Sequence, residues 1–194
     1  MNPREKVLAA ISKNQPPART LPSLAILNPV QFEDRQAKFI ATIEGIGAKV
    51  QSVENYAGIE RYIPQHFTEG SRYVTTVNGL TQFEQLPENQ AAHTLENIEV
   101  AIIPGIFAVA ENGAIWITQR EAGNRVLPFI CQHLAIVLAS NQIVDNMHMA
   151  YERIGASQYD FGVFIAGPSK TADIEQSLVL GAHGPRSLVV FLVG

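Results

Sequence analysis

The segment Leu188-Val189-Val190-Phe191-Leu192-Val193 places six apolar residues in succession and decides the fold class. Residues 134–138 and 161–166 are similar runs, almost free of polar side chains. A strand with one face in water alternates apolar and polar residues, whereas a strand buried on both faces does not. Helices cover both faces of sheets built from such strands. The sequence therefore predicts a three-layer α/β/α domain with a mostly parallel sheet.

Other segments alternate between strand and helix patterns, which supports this architecture. Further strands are predicted at residues 48–53, 72–77, 100–103, 114–118 and 187–193, with a compact apolar segment at 105–110. Helices are predicted at residues 55 to about 66 and 141–154. Together these elements predict a single domain that covers residues 1–194.

Two further helices are predicted from their first residues. Asn2-Pro3 and Asn28-Pro29 each combine a capping side chain with a proline that suits the first helical turn. The second of these helices is predicted to end at Gly45 and Gly47. Residues 14–29 carry four prolines, which indicates an extended connector. We expect residues 1–29, the first helix and this connector, to pack on the domain.

The charge balance excludes several classes of protein. Lys and Arg number 14 against 18 Asp and Glu, a formal net charge of −4, which argues against a nucleic-acid-binding protein. Hydrophobic residues make up 46% and charged residues 16%, so the chain is not intrinsically disordered. The longest uncharged stretch, 126–144, contains Pro128 and several polar residues, and no membrane span is predicted. The N-terminal residues lack the apolar core of a secretion signal, so a cytoplasmic location is expected.

The cysteine and histidine pattern predicts no metal and no cofactor on this chain. Cys131 is the one cysteine, which excludes an internal disulfide, a four-cysteine zinc site and a chain-borne iron–sulfur cluster. The five histidines show no metal-ligand spacing.

Ala110-Glu111-Asn112-Gly113 is the first of three loops that carry reactive side chains. Asn-Gly is a strong signal for a tight turn, which leaves Glu111 as an exposed residue beside it. The alternative is a carboxylate at the sheet edge that acts as a base, a nucleophile or a hydrogen-bond acceptor.

The second loop is Gly167-Pro168-Ser169-Lys170-Thr171, and Asp173 and Glu175 follow it. One interpretation is a well-capped helix start, because acidic residues favour the positive end of a helix. The other is an anion site, in which free backbone N–H groups, two hydroxyls and Lys170 converge.

The third loop, Gly181-Ala182-His183-Gly184-Pro185-Arg186, precedes the last strand. Arg186 could hold a carboxylate or phosphate with two hydrogen bonds, or could pair with a surface acid in a purely structural loop. Ligands of open parallel sheets bind beyond the carboxyl ends of the strands. We therefore predict one cleft with Glu111 at its mouth and with Ser169 and Arg186 nearby.

From about Gly105 to the C-terminus, the chain resembles the LUD domain, the domain of lactate utilisation protein C. The resemblance is carried by residues 110–113, by Asn124-Arg125-Val126-Leu127-Pro128, by residues 133–137 and most specifically by residues 167–175 and 181–186. The sequence departs from the family pattern where Asn112 and Ala114 replace threonines and where Lys170 replaces a frequent arginine.

The resemblance implies a fold of the sugar-phosphate isomerase and CoA-transferase-like type. It also implies a role in oxidising L-lactate to pyruvate, beside partner subunits that carry iron–sulfur clusters. The ligand expected on this chain is a small carboxylate or phosphate. Glu111 is the catalytic candidate, and the ligand-binding candidates are Asn112, Gly113, Arg125, Gly167, Ser169, Lys170, Thr171, Asp173, His183 and Arg186.

Two other functions stay open. Glu-Asn-Gly before a strand also resembles the catalytic glutamate motif of family I CoA transferases, and Asn112 matches that motif better than the LUD pattern. Those enzymes, however, have a larger two-part chain and a glycine-rich oxyanion segment that is not recognisable here. The third possibility is a non-catalytic regulator that binds a small anion.

Overall fold

The computed structural model describes residues 2–20, 28–67, 71–87, 90–170 and 183–194. Its strands are β1 (Lys49–Val53), β2 (Arg72–Thr75), β3 (Glu84–Gln85), β4 (Ile98–Pro104), β5 (Phe107–Val109), β6 (Ile115–Thr118), β7 (His133–Ala139), β8 (Ile143–Val144), β9 (Gly162–Ile165) and β10 (Ser187–Val193). Its helices are α1 (Pro3–Lys13), α2 (Arg35–Gly45), α3 (Tyr56–His66), α4 (Gln119–Ala122), α5 (Leu127–Ile130) and α6 (Met147–Ile154), with a short 3₁₀ helix at Ala92–Leu95.

The main sheet has the order β1-β10-β7-β4-β2-β3, and all of its recorded strand pairs are parallel. Its centre is formed by β10, β7 and β4, whose inner residues are almost all buried. The continuous apolar runs of β7 and β10 therefore lie where the sequence predicts them.

Both faces of the main sheet are covered. Val100 and Ile102 of β4 pack in one cluster with Ile59 and Ile63 of α3. The intervening residues of β4 pack on the other side with α2, α4, α5 and part of a second sheet. Successive strand residues point to opposite faces, so an uninterrupted apolar strand serves both clusters. This arrangement confirms the predicted three-layer α/β fold with a mostly parallel sheet.

A second, four-stranded sheet with the order β8-β5-β6-β9 is the main feature that the sequence analysis missed. The run at residues 161–166 forms β9 here, antiparallel to β6, and is not part of the parallel sheet. Gly162 explains the placement in part, because a Cβ at this position would lie 2.2 Å from Cη2 of Trp116. Glycine thus lets β9 lie close against the Trp116 indole.

The helix predicted to begin at Asn28-Pro29 begins instead at Arg35. Asp34 is its cap, since its Oδ1 accepts a hydrogen bond from Ala37 N–H at 2.9 Å. The preceding backbone has partners far away in sequence: Val30 O accepts from Asn146 Nδ2 at 2.7 Å, and Phe32 N–H donates to Asp145 Oδ1 at 2.8 Å. These long-range hydrogen bonds hold Val30 and Phe32 outside a helix, so α2 starts only after them. The predicted end of the helix near Gly45 and Gly47 is confirmed, with Gly47 at φ +101°.

The prediction of a single helix at residues 141–154 was wrong for the first half of that segment. Ile143 and Val144 form β8, which pairs in parallel with β5. Asn146 then caps α6 by accepting from Met149 N–H at 3.1 Å. Pairing with β5 gives residues 143–144 a β-ladder in place of the first helical turn.

Helix α1 begins as predicted, because Asn2 and Glu5 form a reciprocal capping box. It does not bury any residue, however: Val7, Leu8 and Ile11 are 58%, 48% and 53% exposed. The expected packing of residues 1–29 on the domain is therefore not seen for α1. Among the described residues, no helix has the length and apolar character to cross a bilayer.

Candidate functional site

Gly113 and Gly167 lie together at one end of the β6–β9 pair, at the corner of the second sheet that carries two of the three predicted loops. Ile115 of β6 pairs with Ile165 of β9, and the two glycines lie two residues beyond this pair on either strand. Both have positive φ, +72° and +77°. A Cβ at Gly113 would lie 3.1 Å from Ile43 Cβ, and one at Gly167 would lie 3.2 Å from Ile46 O. Both loops therefore pack against the end of α2 at these glycines.

Glu111 is exposed and has a structural task at the start of α6. Its backbone N–H donates to Asp145 O at 2.9 Å, and its Oε2 accepts from Met147 N–H at 3.0 Å. A carboxylate at this place satisfies a free helical N–H and favours the positive end of the helix dipole. Asn112 closes the turn, since its Oδ1 accepts from Ala114 N–H at 3.1 Å. The tight turn is thus present, and a catalytic role for Glu111 stays a prediction.

A cavity of about 320 Å³ brings together Gly167, Ser169, Lys170 and His183. Ser169 N–H donates to Pro185 O at 2.9 Å and thereby ties the second loop to the third. Apolar side chains line the other walls of the cavity: Phe129, Leu134, Val163, Phe164, Ile165 and Leu188. Four of the predicted ligand-binding residues therefore share one cavity with an apolar wall and a polar rim.

Lys170 supplies positive charge at this rim. Its side chain is exposed, and its Nζ lies 3.8 Å from the position that a Cβ would take at Gly47, just beyond the end of α2. The negative end of a helix dipole favours a cation there. The ammonium group is thus held beside the second loop while part of it stays open to solvent.

The other predicted site residues do not line this cavity. Glu111, Asn112 and Gly113 lie in the β5–β6 turn, and Arg125 is exposed in the turn before α5. Arg186 is exposed, and its N–H donates to Gln132 O at 2.8 Å. Thr171 and Asp173, together with the helix predicted after Lys170, lie outside the described residues.

Among the described residues, the expected cleft shared by Glu111, Ser169 and Arg186 is therefore not formed as one cavity. Arg186 directly precedes β10, so it lies at the amino edge of the parallel sheet, whereas the prediction placed it at the carboxyl edge. Glu111 belongs to the second sheet, which the sequence analysis did not predict.

A larger cavity of about 680 Å³ was missed. It lies next to Ile106, two residues beyond the end of β4, and its polar lining includes Arg120, Glu121, Arg153 and Asp160. Thr118, at the end of β6, donates its backbone N–H at 3.3 Å and its hydroxyl proton to Glu121 Oε2, which fixes the start of α4. In the sequence, the signal for this cavity was Thr118-Gln119-Arg120-Glu121, a run of polar residues directly after an apolar strand.

Cys131 is a core residue. Burial raises the pKa of its thiol to about 12, and the residue is 2% exposed. Within the described ranges, no group of three or more His, Cys, Asp or Glu side chains is arranged to hold a metal ion.

Curated proteins are similar in sequence to part of this chain. A lactate utilization protein C from Bacillus pumilus is 29% identical over 117 residues, 54% of this chain and 49% of that protein. Its counterpart from Deinococcus radiodurans is 32% identical over 103 residues, 52% of this chain and 49% of that protein. The chain thus spans about half the length of these curated relatives.

A crystal structure of a DUF162 family protein from Deinococcus radiodurans shares the fold, with a TM-score of 0.63 at 19% identity. The superposition covers 86% of this chain and all of that one. The family model of the LUD domain matches residues 74–193, which include β3 to β10 and all three loops. The chain belongs to the LUD domain family.

Proposed function

We propose that this chain takes part in the oxidation of L-lactate to pyruvate and binds a small anionic ligand in the 320 Å³ cavity. The observation that carries the proposal is the LUD-domain match over residues 74–193, which contains every residue lining that cavity. The relatives named lactate utilization protein C support the lactate role.

The chemistry of the cavity suits a small carboxylate. Lactate and pyruvate each carry one negative charge, which Lys170 offsets, and the hydroxyl of Ser169 offers a further hydrogen bond. A hydrogen bond to a charged group contributes about 1.5–3 kcal/mol. Two such bonds sum to about 3–6 kcal/mol before the cost of association, against the ~4.1 kcal/mol of millimolar affinity, so we expect millimolar binding at best. The apolar wall accommodates the methyl group that both acids carry.

Electron transfer in this proposal belongs to partner subunits. Conversion of lactate to pyruvate releases two electrons and two protons, and the single buried Cys131 cannot supply the thiolate set of an iron–sulfur cluster. The resemblance to the LUD family implies iron–sulfur clusters on separate subunits, and we adopt that assignment. Affinity purification of the tagged chain from its own organism should recover proteins that contain iron and acid-labile sulfide. Recovery of the chain without them contradicts the partner assignment.

Calorimetric titration with lactate, pyruvate and phosphate tests the ligand site. The wild type should bind at least one of the three with a Kd below about 10 mM, and Lys170→Ala should weaken binding about tenfold or more, which is the loss of one charged hydrogen bond. Lys6→Ala, on the exposed helix α1, removes the same charge elsewhere and should bind like the wild type.

Arg120→Ala distinguishes the two cavities. If this variant loses binding while Lys170→Ala retains it, the ligand lies in the larger cavity and the proposed site is wrong. Absence of binding by all three anions overturns the anion-binding part of the proposal.

A further inference from the structure

Three neighbouring strands place Glu99, His133 and Ser187 side by side at the amino edge of the main sheet. Ser187 of β10 is the register partner of His133 of β7, and Val100 of β4 is its partner on the other side. His133 Nδ1 lies 2.7 Å from Ser187 Oγ, and His133 Nε2 lies 3.7 Å from Glu99 Oε1. None of these residues belongs to the cavity assigned to the anion, and the sequence analysis did not select them.

The pKa of the His133 imidazole is lowered, which favours its neutral form. Burial lowers its pKa and outweighs Glu99, which raises it, while the charge of Arg186 lowers it further. A neutral imidazole has one N–H donor and one acceptor nitrogen. In the tautomer that carries its proton on Nε2, which faces the Glu99 carboxylate, Nδ1 accepts a hydrogen bond from the hydroxyl of Ser187.

A cavity of about 260 Å³ opens beside this cluster and gives it access to a small molecule. Ser187, His133 and Glu99 line it together with Tyr62 and Phe67. The Phe67 ring lies 4.9 Å from the His133 ring, and Tyr62 stacks on His66 at 3.7 Å. The aromatic walls and the size of the cavity suit a short acyl group rather than a long chain.

A hydroxyl within hydrogen-bond reach of a base, which a third group orients, is the signature of an activated nucleophile. We propose that Ser187 is an acyl-accepting nucleophile, with His133 as its general base and Glu99 as a positioning residue, for small carboxylic esters. This activity is separate from the proposed lactate role and from the residues that support it.

The reaction balances without a cofactor. Ser187 Oγ forms a bond to the ester carbonyl carbon while its proton moves to His133 Nδ1. The carbon–oxygen bond to the leaving alcohol then breaks, and the alcohol takes that proton. Water next attacks the acyl-serine, passes a proton through His133 back to Ser187 Oγ, and releases the carboxylic acid. Lys49 lines the same cavity and is the cation available to the oxyanion.

Covalent labelling tests the nucleophile. A fluorophosphonate probe followed by peptide mass spectrometry should place the adduct on Ser187, and p-nitrophenyl acetate should give a burst of nitrophenol. Ser187→Ala should abolish both signals. Ser140→Ala is the matched control: its hydroxyl bonds Gly194 O at the opposite edge of the sheet, so its labelling should equal that of the wild type.

Two more variants keep the test decisive. Ser187→Cys should react with iodoacetamide faster than free cysteine, which shows base activation even if Ser187→Ala folds poorly. His133→Gln should slow acylation about 100-fold, the contribution of a general base.

The pH profile of acylation separates positioning from mere packing. The groups facing His133 are Glu99, Arg186 and Ser187, with Lys49 and His66 across the cavity. Glu99→Gln should move the acid limb of the profile to lower pH, because Glu99 raises the pKa of His133. No adduct on Ser187 at any pH from 6 to 9, or equal labelling in His133→Gln, overturns the proposal.

Discussion

The carboxylate of Asp145 and the guanidinium of Arg35 form an ion pair at the start of α2, with Oδ2 2.9 Å from Nε. The Asp145 side chain is 1% exposed, and this Oδ2 makes no hydrogen bond, so the pair acts through charge. Its Oδ1 accepts from Phe32 N–H at 2.8 Å. Asp145 therefore joins the segment before α2 to the loop before α6.

Asp145→Ala should lower the free energy of unfolding by about 2–4 kcal/mol, because it removes a buried charge partner and leaves Phe32 N–H without its acceptor. Urea unfolding followed by circular dichroism measures the change. Asp145→Asn is the informative comparison, since its amide oxygen still accepts from Phe32 while the charge is lost. A change below about 0.5 kcal/mol in Asp145→Ala, the range of ordinary surface substitutions, contradicts the anchoring role.

Gly113→Ala should be destabilising by more than about 1 kcal/mol. Alanine is strained at φ +72°, and its Cβ would meet the side chain and backbone of Ile43. Gly45→Ala is the matched control, because no atom lies within 4 Å of its Cβ position at the end of α2. That change should be neutral or stabilising by up to about 1 kcal/mol. Equal melting temperatures for the two variants would show that Gly113 is not tightly packed against Ile43.

Arg72→Lys should weaken the sheet edge. Arg72 makes paired hydrogen bonds with Glu84 at 2.9 and 2.6 Å, and its Nη1 donates to Thr94 O and Asn97 Oδ1. Lysine lacks this planar fork, so we expect a loss of about 1–2 kcal/mol in chemical denaturation. Arg61→Lys, exposed on α3, serves as the control and should have no measurable effect.

The Arg72–Glu84 pair should also contribute to acid sensitivity. Arg72 lowers the pKa of Glu84 below its ordinary value of 4.5, chiefly by hydrogen bonding. A carboxyl group with a depressed pKa in the folded state stabilises the protein above pH 4.5 and loses that contribution as the pH falls further. The difference in stability between wild type and Arg72→Lys should therefore shrink below pH 4.5. A difference that stays constant down to pH 3 contradicts this linkage.

Cys131 should be inert in the native protein. With its pKa raised to about 12, the thiol is protonated at neutral pH and is also shielded from reagents. Ellman's reagent should therefore detect no thiol until a denaturant is added, and one thiol per chain afterwards. Rapid reaction in buffer would show that the core opens around α5.

Local patterns predicted the strands of the main sheet well, because burial on both faces leaves a continuous apolar signature in β7 and β10. The second sheet contains the same signature, because the apolar run at residues 161–166 forms β9 there and not in the parallel sheet. Its β9 is partly buried along its length, and its pairing with β6 joins segments that are distant in sequence. Short apolar runs do not specify which sheet they enter.

Contacts of long range account for the other differences. The start of α2 depends on the bond between Phe32 and Asp145, 113 residues apart, which no window of sequence contains. For the candidate site, the sequence analysis included Ser169, Lys170 and His183 among its ligand-binding candidates, and these three residues line one cavity. The sequence analysis also placed Glu111 in this cleft. Glu111 lies elsewhere because its turn joins β5 and β6 of the second sheet, which was not predicted.

Growth on L-lactate tests the proposed role most directly. Deleting the gene for this chain in the organism that encodes it should abolish growth on L-lactate as the carbon source and leave growth on pyruvate intact. The wild-type gene should restore growth on lactate, and Lys170→Ala should restore it poorly. Growth of the deletion strain on L-lactate at the parental rate, in a background with no second LUD-domain gene, would contradict a role in lactate oxidation.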